Sequence, residues 1–227
     1  MARAISSAET AGGGQASVKK AAYERFQQEL LAGRLRPGQV VSQRELVATL
    51  GLSIGALREL LPRLEAEGLL NVMPQRGIQI TTIDLPMIRD AYQMRMAFER
   101  EATLFAVDRM KDEMIEAQKR LHFQILERLQ QDRSPAFFEE SQDVDSSFHE
   151  LLIGFTENEL LIQAYDVNSI RVRLIKLDRI TLSVTTLPAA FGDHLAIIDA
   201  ILERDRWKAA AAMETHIRNA RERALAI

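Results

Sequence analysis

The sequence contains no cysteine. That absence excludes disulfides, thiolate metal sites and cysteine nucleophiles, and it fits a reducing compartment. No apolar run comes near the ~18 residues of a membrane span, so no membrane partner is expected. Met1 to Ala16 is rich in Ala, Gly and Ser and lacks the apolar core of a signal peptide. It reads as a disordered tail over residues 1–16, and the expected location is cytoplasmic. Histidine is scarce, with four in 227 residues.

What is present supports a folded, two-part protein. The length exceeds the roughly 150 residues of a single-domain prior, and 47% of the residues are apolar, enough for a sizeable core. The net charge of −3 is unevenly spread. Residues 1–83 hold ten Lys/Arg against seven Asp/Glu, a balance of +3, and residues 84–227 carry −6. A basic first part suits a polyanion, and an acidic second part is repelled by one.

Val18, Ala22, Phe26 and Leu30 space an apolar stripe for a helix over Ser17–Leu31, stopped at Gly33. Val40 and Val41 read as a short extended piece. Ser42 and Glu45 form a capping box for a second helix that ends at Gly51. Ser53 caps a third, which stops at Gly68. Leu69–Val72 and Ile78–Thr82 read as two strands around a turn at Met73–Gly77. Three helices followed by a hairpin make a winged helix-turn-helix over residues 17–83, with Leu50–Ser53 as its tight turn. From Asp84 to the end the pattern predicts six helices in an antiparallel bundle over residues 84–227. The expected fold class is mainly α.

In a helix-turn-helix the second helix of the motif enters the major groove by its N-terminal end. Here that end is Ser53-Ile54-Gly55-Ala56-Leu57-Arg58. Arg58 can reach a phosphate or a guanine edge. Arg44 starts the preceding helix, and Arg76 with Gly77 tips the wing, where a cation can enter the minor groove. Singly these are solvated arginines; their gathering in one small domain points to DNA.

In the second part, Asp145 and His149 stand four apart on one helix face. Such a pair can chelate an ion or form a hydrogen-bonded core pair, and spacing leaves both open. His194 and His216 lie on later helices. Three imidazoles and a carboxylate are a credible set for zinc first, or nickel or manganese. His122 takes a structural reading. Arg95, among Tyr92, Met96 and Phe98, requires an anion: Glu99 four residues on, or a carboxylate ligand held by the guanidinium fork. Arg171 and Arg173 raise the same question.

The stretch Tyr23–Gly77 resembles the DNA-binding domain of GntR-type regulators. The resemblance is carried by Leu31-Ala32-Gly33-Arg34-Leu35-Arg36-Pro37-Gly38, by Ser42-Gln43-Arg44-Glu45-Leu46, and by the run from Leu57 to Leu69. The remainder resembles the FadR-type (FCD) ligand-binding domain. Its Asp-x-x-x-His is matched by Asp145–His149, its next histidine by Asp193-His194, and its last by His216. The resemblance implies a homodimeric regulator of operator DNA, often a repressor released by a metabolite. It implies DNA contacts at Arg44, Arg58, Arg76 and Gly77. It also implies a metal on Asp145, His149, His194 and His216 that helps bind a carboxylate effector. Two positions depart from the pattern. Ile54-Gly55-Ala56 stands where the family usually has an arginine followed by Thr-Pro or a similar pair, and Pro62 is expected to kink or shorten the recognition helix. A metal-dependent enzyme on the helical bundle, and a constitutive DNA-binding dimer, are the competing readings. No general base stands at motif spacing, so an enzyme is not expected.

Overall fold

The computed structural model describes residues 10–226, with side chains from Lys19 onward. The chain divides into two compact units between Ile83 and Asp84. The first contains α1 (Thr10–Leu31), β1 (Val40–Val41), α2 (Gln43–Leu50), α3 (Ile54–Ala66), β2 (Leu70–Met73) and β3 (Gly77–Ile80). The first helix starts earlier than the apolar stripe indicates, so Thr10–Ala16 is helical where a disordered tail was expected. A packed nucleus at Ala22, Phe26 and Leu30 lets a helix propagate by one hydrogen bond per residue. Residues 1–9 of the expected tail lie outside the described residues.

Leu46, Leu50, Leu57, Leu64 and Leu69 are fully buried with Phe26 and Ile80. Each such side chain contributes about 1.5–3 kcal/mol relative to exposure. The capping box is formed: Glu45 N donates to Ser42 Oγ at 3.1 Å, and Ser42 N donates to Glu45 Oε2 at 2.7 Å. Gly51 ends α2 at φ 59°, ψ 36°, the left-handed turn that swings the chain into α3. The three strands pair antiparallel in the order β1-β3-β2, with Val41 opposite Ile78 and Val72 opposite Ile78. Gly77 has φ 108°, and a Cβ there would meet Val41 O at 2.7 Å. The strand crossing therefore demands glycine at the wing's edge.

The second unit is a bundle of α4 (Leu85–Arg109), α5 (Asp112–Arg128), α6 (Pro135–Gly154), α7 (Glu159–Arg179), α8 (Leu187–Leu202) and α9 (Arg206–Leu225). Polar caps set the starts: Asp84, Ser134, Asn158 and Asp205 each accept from first-turn N–H groups. Helix α4 packs against α6, α7, α8 and α9, so its middle lies in the centre of the bundle. Arg95 and Glu99 sit at that centre.

Candidate functional site

In the first unit, Ser53 caps α3 by accepting from Ala56 N at 3.1 Å. Ile54, Gly55 and Arg58 are exposed along the start of that helix, and half of the Ile54 side chain meets solvent. Arg44 lies exposed in the first turn of α2, and Arg76 in the β2–β3 turn. Most other cations of this unit are engaged. Lys19 pairs with Glu59, Arg34 with Glu29 and Arg63 with Glu67, while Arg25 donates to Leu50 O. Arg44, Arg58 and Arg76 have no ion pair or side-chain hydrogen bond among the described residues. Arg36, which the sequence places only in a turn, shares that state. Pro62 does not shorten α3, which continues to Ala66. The proline ring leaves the Arg58 carbonyl without its helical donor, and Pro62 lies on the exposed face where water can replace that bond.

In the second unit five helices deliver ionisable side chains to one buried point. Helix α4 supplies Arg95 and Glu99, α6 Asp145 and His149, α7 Lys176, α8 His194 and α9 His216. Arg95, Glu99 and the three histidines are each no more than 2% exposed. One ring nitrogen from each of His149, His194 and His216 lies within 4.8 Å of the others. Nε2 of His194 is 3.3 Å from Nε2 of His216 and 3.7 Å from Oδ1 of Asp145. Two nitrogens bound to one tetrahedral ion at about 2.05 Å stand about 3.3 Å apart. The spacing and chemistry of this donor set therefore fit a divalent ion.

The electrostatics fit as well. Burial holds His149 below the ordinary imidazole value, against the pull of Glu99. Burial, then the neighbouring His216 and His149, holds His194 well below it. His216 is pushed down by burial to about 4, with Asp193 opposing. All three are thus neutral and able to offer lone pairs. Burial alone would raise Asp145, but the Lys176 ammonium and the Arg95 guanidinium hold its carboxylate well below the usual range. Carboxylates stand behind two of the rings: His149 Nδ1 lies 2.8 Å from Glu99 Oε2, and His216 Nδ1 lies 3.6 Å from Asp193 Oδ2, an electrostatic neighbour beyond hydrogen-bond reach. Such partners orient ligating imidazoles.

Two cations of the chain itself occupy these donors. Arg95 Nε donates to Glu99 Oε1 at 2.7 Å, while Nη2 donates to His149 Nε2 at 2.7 Å and to His216 Nε2 at 3.4 Å. Lys176 Nζ donates to Asp145 Oδ2. Arg95 Nη1 is buried with no hydrogen-bond partner among the described residues. Two cavities of about 20 Å³ flank the cluster, each with room for a single water molecule. Arg95 and Lys176 line both. His149, Asn168 and Arg173 line one; Asp145, His216 and Arg223 line the other.

A family model described as bacterial regulatory proteins, gntR family, matches residues 18–80, and one described as FCD domain matches residues 90–219. The chain belongs to the GntR family of transcription regulators, with an FCD domain. It is 30% identical over 197 residues to a helix-turn-helix transcriptional regulator of Streptomyces ambofaciens, covering 86% of this chain and 80% of that one. It is 26% identical over 200 residues to the transcriptional repressor GlaR of Escherichia coli, covering 86% and 90%. A solved GntR regulator from Rhodococcus sp. RHA1 shares the fold at a TM-score of 0.70 and 17% identity, over 92% of this chain and 98% of that one. GntR-family members are DNA-binding regulators, not enzymes, so the metalloenzyme alternative falls away. Among the described residues no helix is long and apolar enough to cross a membrane.

Within this GntR–FCD chain, the structure separates the candidate arginines. Arg95 pairs with Glu99 and also reaches two histidines. Arg173 pairs with Glu150 and lines a cavity. Arg171 is half-buried on the same helix and lines neither cavity. Lys176 was missed. Its signal is the polar stripe Tyr165, Asn168, Arg173 and Lys176, whose helical spacing places all four against one cavity.

Proposed function

We propose that this regulator is a repressor, released from operator DNA by a small carboxylate metabolite that binds beside a divalent ion. Asp145, His149, His194 and His216 would hold the ion, with zinc the first candidate and nickel or manganese the alternatives. When bound, the ion supplies a Lewis-acidic anchor for one carboxylate oxygen. The observation that carries the reading is the unsatisfied Nη1 of Arg95, buried beside three converging imidazoles. A donor left unpaired in that environment is costly, and a carboxylate oxygen relieves it. The flanking cavities admit only a water, so a metabolite must displace the Lys176 or Arg173 side chain. Both are cations, and both then become partners for an anion.

On the DNA side, Arg58 is the base reader and Arg44 and Arg76 meet phosphate or the minor groove. Ser53 and Gly77 set the backbone at the two contact points. A two-fold operator calls for a homodimer, acting in the cytoplasm. The direct test is a thermal-shift screen of carboxylic, amino and sugar acids, with and without zinc. A ligand that binds only the folded state raises the midpoint. At least one acid raises it further with zinc than without, and the same acid weakens operator binding. A screen in which no acid shifts the midpoint contradicts the reading.

A further inference from the structure

His122 lies on α5, fully buried, one layer behind the histidine cluster. Its Nδ1 is 2.8 Å from the backbone oxygen of Gln118, and its Nε2 is 3.1 Å from Nδ1 of His194. A carbonyl oxygen only accepts, so Nδ1 of His122 must carry a proton. The ring is buried between Phe148 and Phe191, with centroids 5.1 and 5.0 Å away, and this surrounding favours the neutral form. With its one proton on Nδ1, His122 presents a bare Nε2, which accepts from His194 Nδ1–H. His194 is then protonated on Nδ1, and its own Nε2 faces the cluster as a lone pair.

We infer that His122 is a positioning residue: a relay from Gln118 O through His122 fixes the tautomer of His194 so that Nε2 is free to bind an ion. The consequence for metal rests on the proposed ion site; the tautomer assignment does not. The competing arrangement has His194 donate from Nε2 to His216 Nε2 at 3.3 Å. That tautomer requires His122 to donate from Nε2 and to turn a bare Nδ1 toward the Gln118 oxygen at 2.8 Å, lone pair against lone pair. This is a closer clash than the bare His194 Nε2 and His216 Nε2 at 3.3 Å that the relay leaves and that a shared ion would relieve. Asp145 Oδ1, at 3.7 Å, is beyond hydrogen-bond reach of His194 Nε2 and does not draw the proton there. Glu99 and Asp193 stand behind His149 and His216, whereas a neutral ring stands behind His194.

The test is long-range proton–nitrogen correlation NMR on the full chain with ¹⁵N-labelled histidine, in chelator, with assignment by His194→Asn. The wild type should show His194 protonated on Nδ1 alone. In His122→Leu that tautomer should be lost or mixed, and zinc affinity measured against a chelating dye should fall about 10–100-fold. His122→Gln, whose side-chain oxygen can take the place of Nε2, should restore both. A wild-type His194 protonated on Nε2 overturns the relay, as does an unchanged tautomer in a folded His122→Leu. If His122→Leu does not fold, the wild-type and His122→Gln spectra still decide. The expected tautomers without any zinc binding would uphold the relay and sink the ion site.

Discussion

At the scale of single residues, a guanidinium and an ammonium stand on the donors proposed for a divalent ion. Lys176 neutralises Asp145, and Arg95 occupies His149 and His216. Lys176→Met removes that competitor but leaves a buried carboxylate unpaired, which destabilises by about 3–5 kcal/mol. The metal-free midpoint should therefore fall, while the midpoint rise on adding zinc should exceed that of the wild type. Equal zinc-induced shifts in the two proteins would mean that Lys176 does not compete. The buried imidazoles also set a pH dependence. Their folded values lie below the ordinary 6.5, so only the unfolded chain takes up protons as the pH first drops. Stability from this source is complete above about 6.5 and is lost as the pH falls toward the value of about 4 for His216. Glu99, held at about 2 because Arg95 and His149 outweigh its burial, adds a further loss below about 4.5. Thermal midpoints in chelator should decline steadily from pH 7 to 4; a flat profile would contradict neutral buried histidines. For the same reason zinc should remain bound well below the pH at which free imidazole protonates.

At the scale of elements, the recognition helix carries two departures, and they differ in effect. Pro62 is tolerated because it faces solvent. Gly55 has ordinary helical backbone, and an added Cβ would meet only Ser53 Oγ at 3.9 Å. Gly55→Ala should raise the stability of the first unit by about 0.5–1 kcal/mol, read as a higher midpoint. A lower midpoint would mean that the helix start is strained in a way the backbone does not show. Arg58→Ala should weaken operator binding by about 1–3 kcal/mol and relax specificity at one position. Arg76→Ala should weaken binding evenly and reduce the salt slope, and gel shifts at two salt concentrations separate the two. Unchanged binding in both variants would remove the assigned contact face. Most helix ends were legible because capping is local chemistry: Ser42, Ser53, Asp84 and Asn158 begin helices through their side chains, and Gly51 ends one in left-handed backbone. The start of α1 was not legible, because three consecutive glycines disguise a helix extended from a packed neighbour. Asp145, His149, His194 and His216 were readable because histidine is scarce in this chain and Asp145 and His149 stand four apart on one helix face. The relay through His122 was not, since only tertiary packing brings α5 to that point, and the polar stripe of α7 does not by itself say that Lys176 is the side chain that meets Asp145.

At the scale of the whole molecule, two compact units divide the work that family membership assigns, DNA contact in residues 18–80 and the FCD bundle in residues 90–219. A homodimer is expected, and light scattering at micromolar concentration should report twice the 25.6 kDa chain mass; a monomer alone would argue against two-fold operator binding. The claim on which the regulatory account turns is that the buried histidines hold an ion. Elemental analysis decides it, applied to the wild type and to the His149→Ala/His216→Ala variant after zinc loading and desalting, with folding verified by circular dichroism. The account predicts about one zinc per wild-type chain and essentially none in the variant. Equal zinc in both proteins, or none in the loaded wild type, would show that His149, His194 and His216 are core residues and that any effector pocket lies elsewhere.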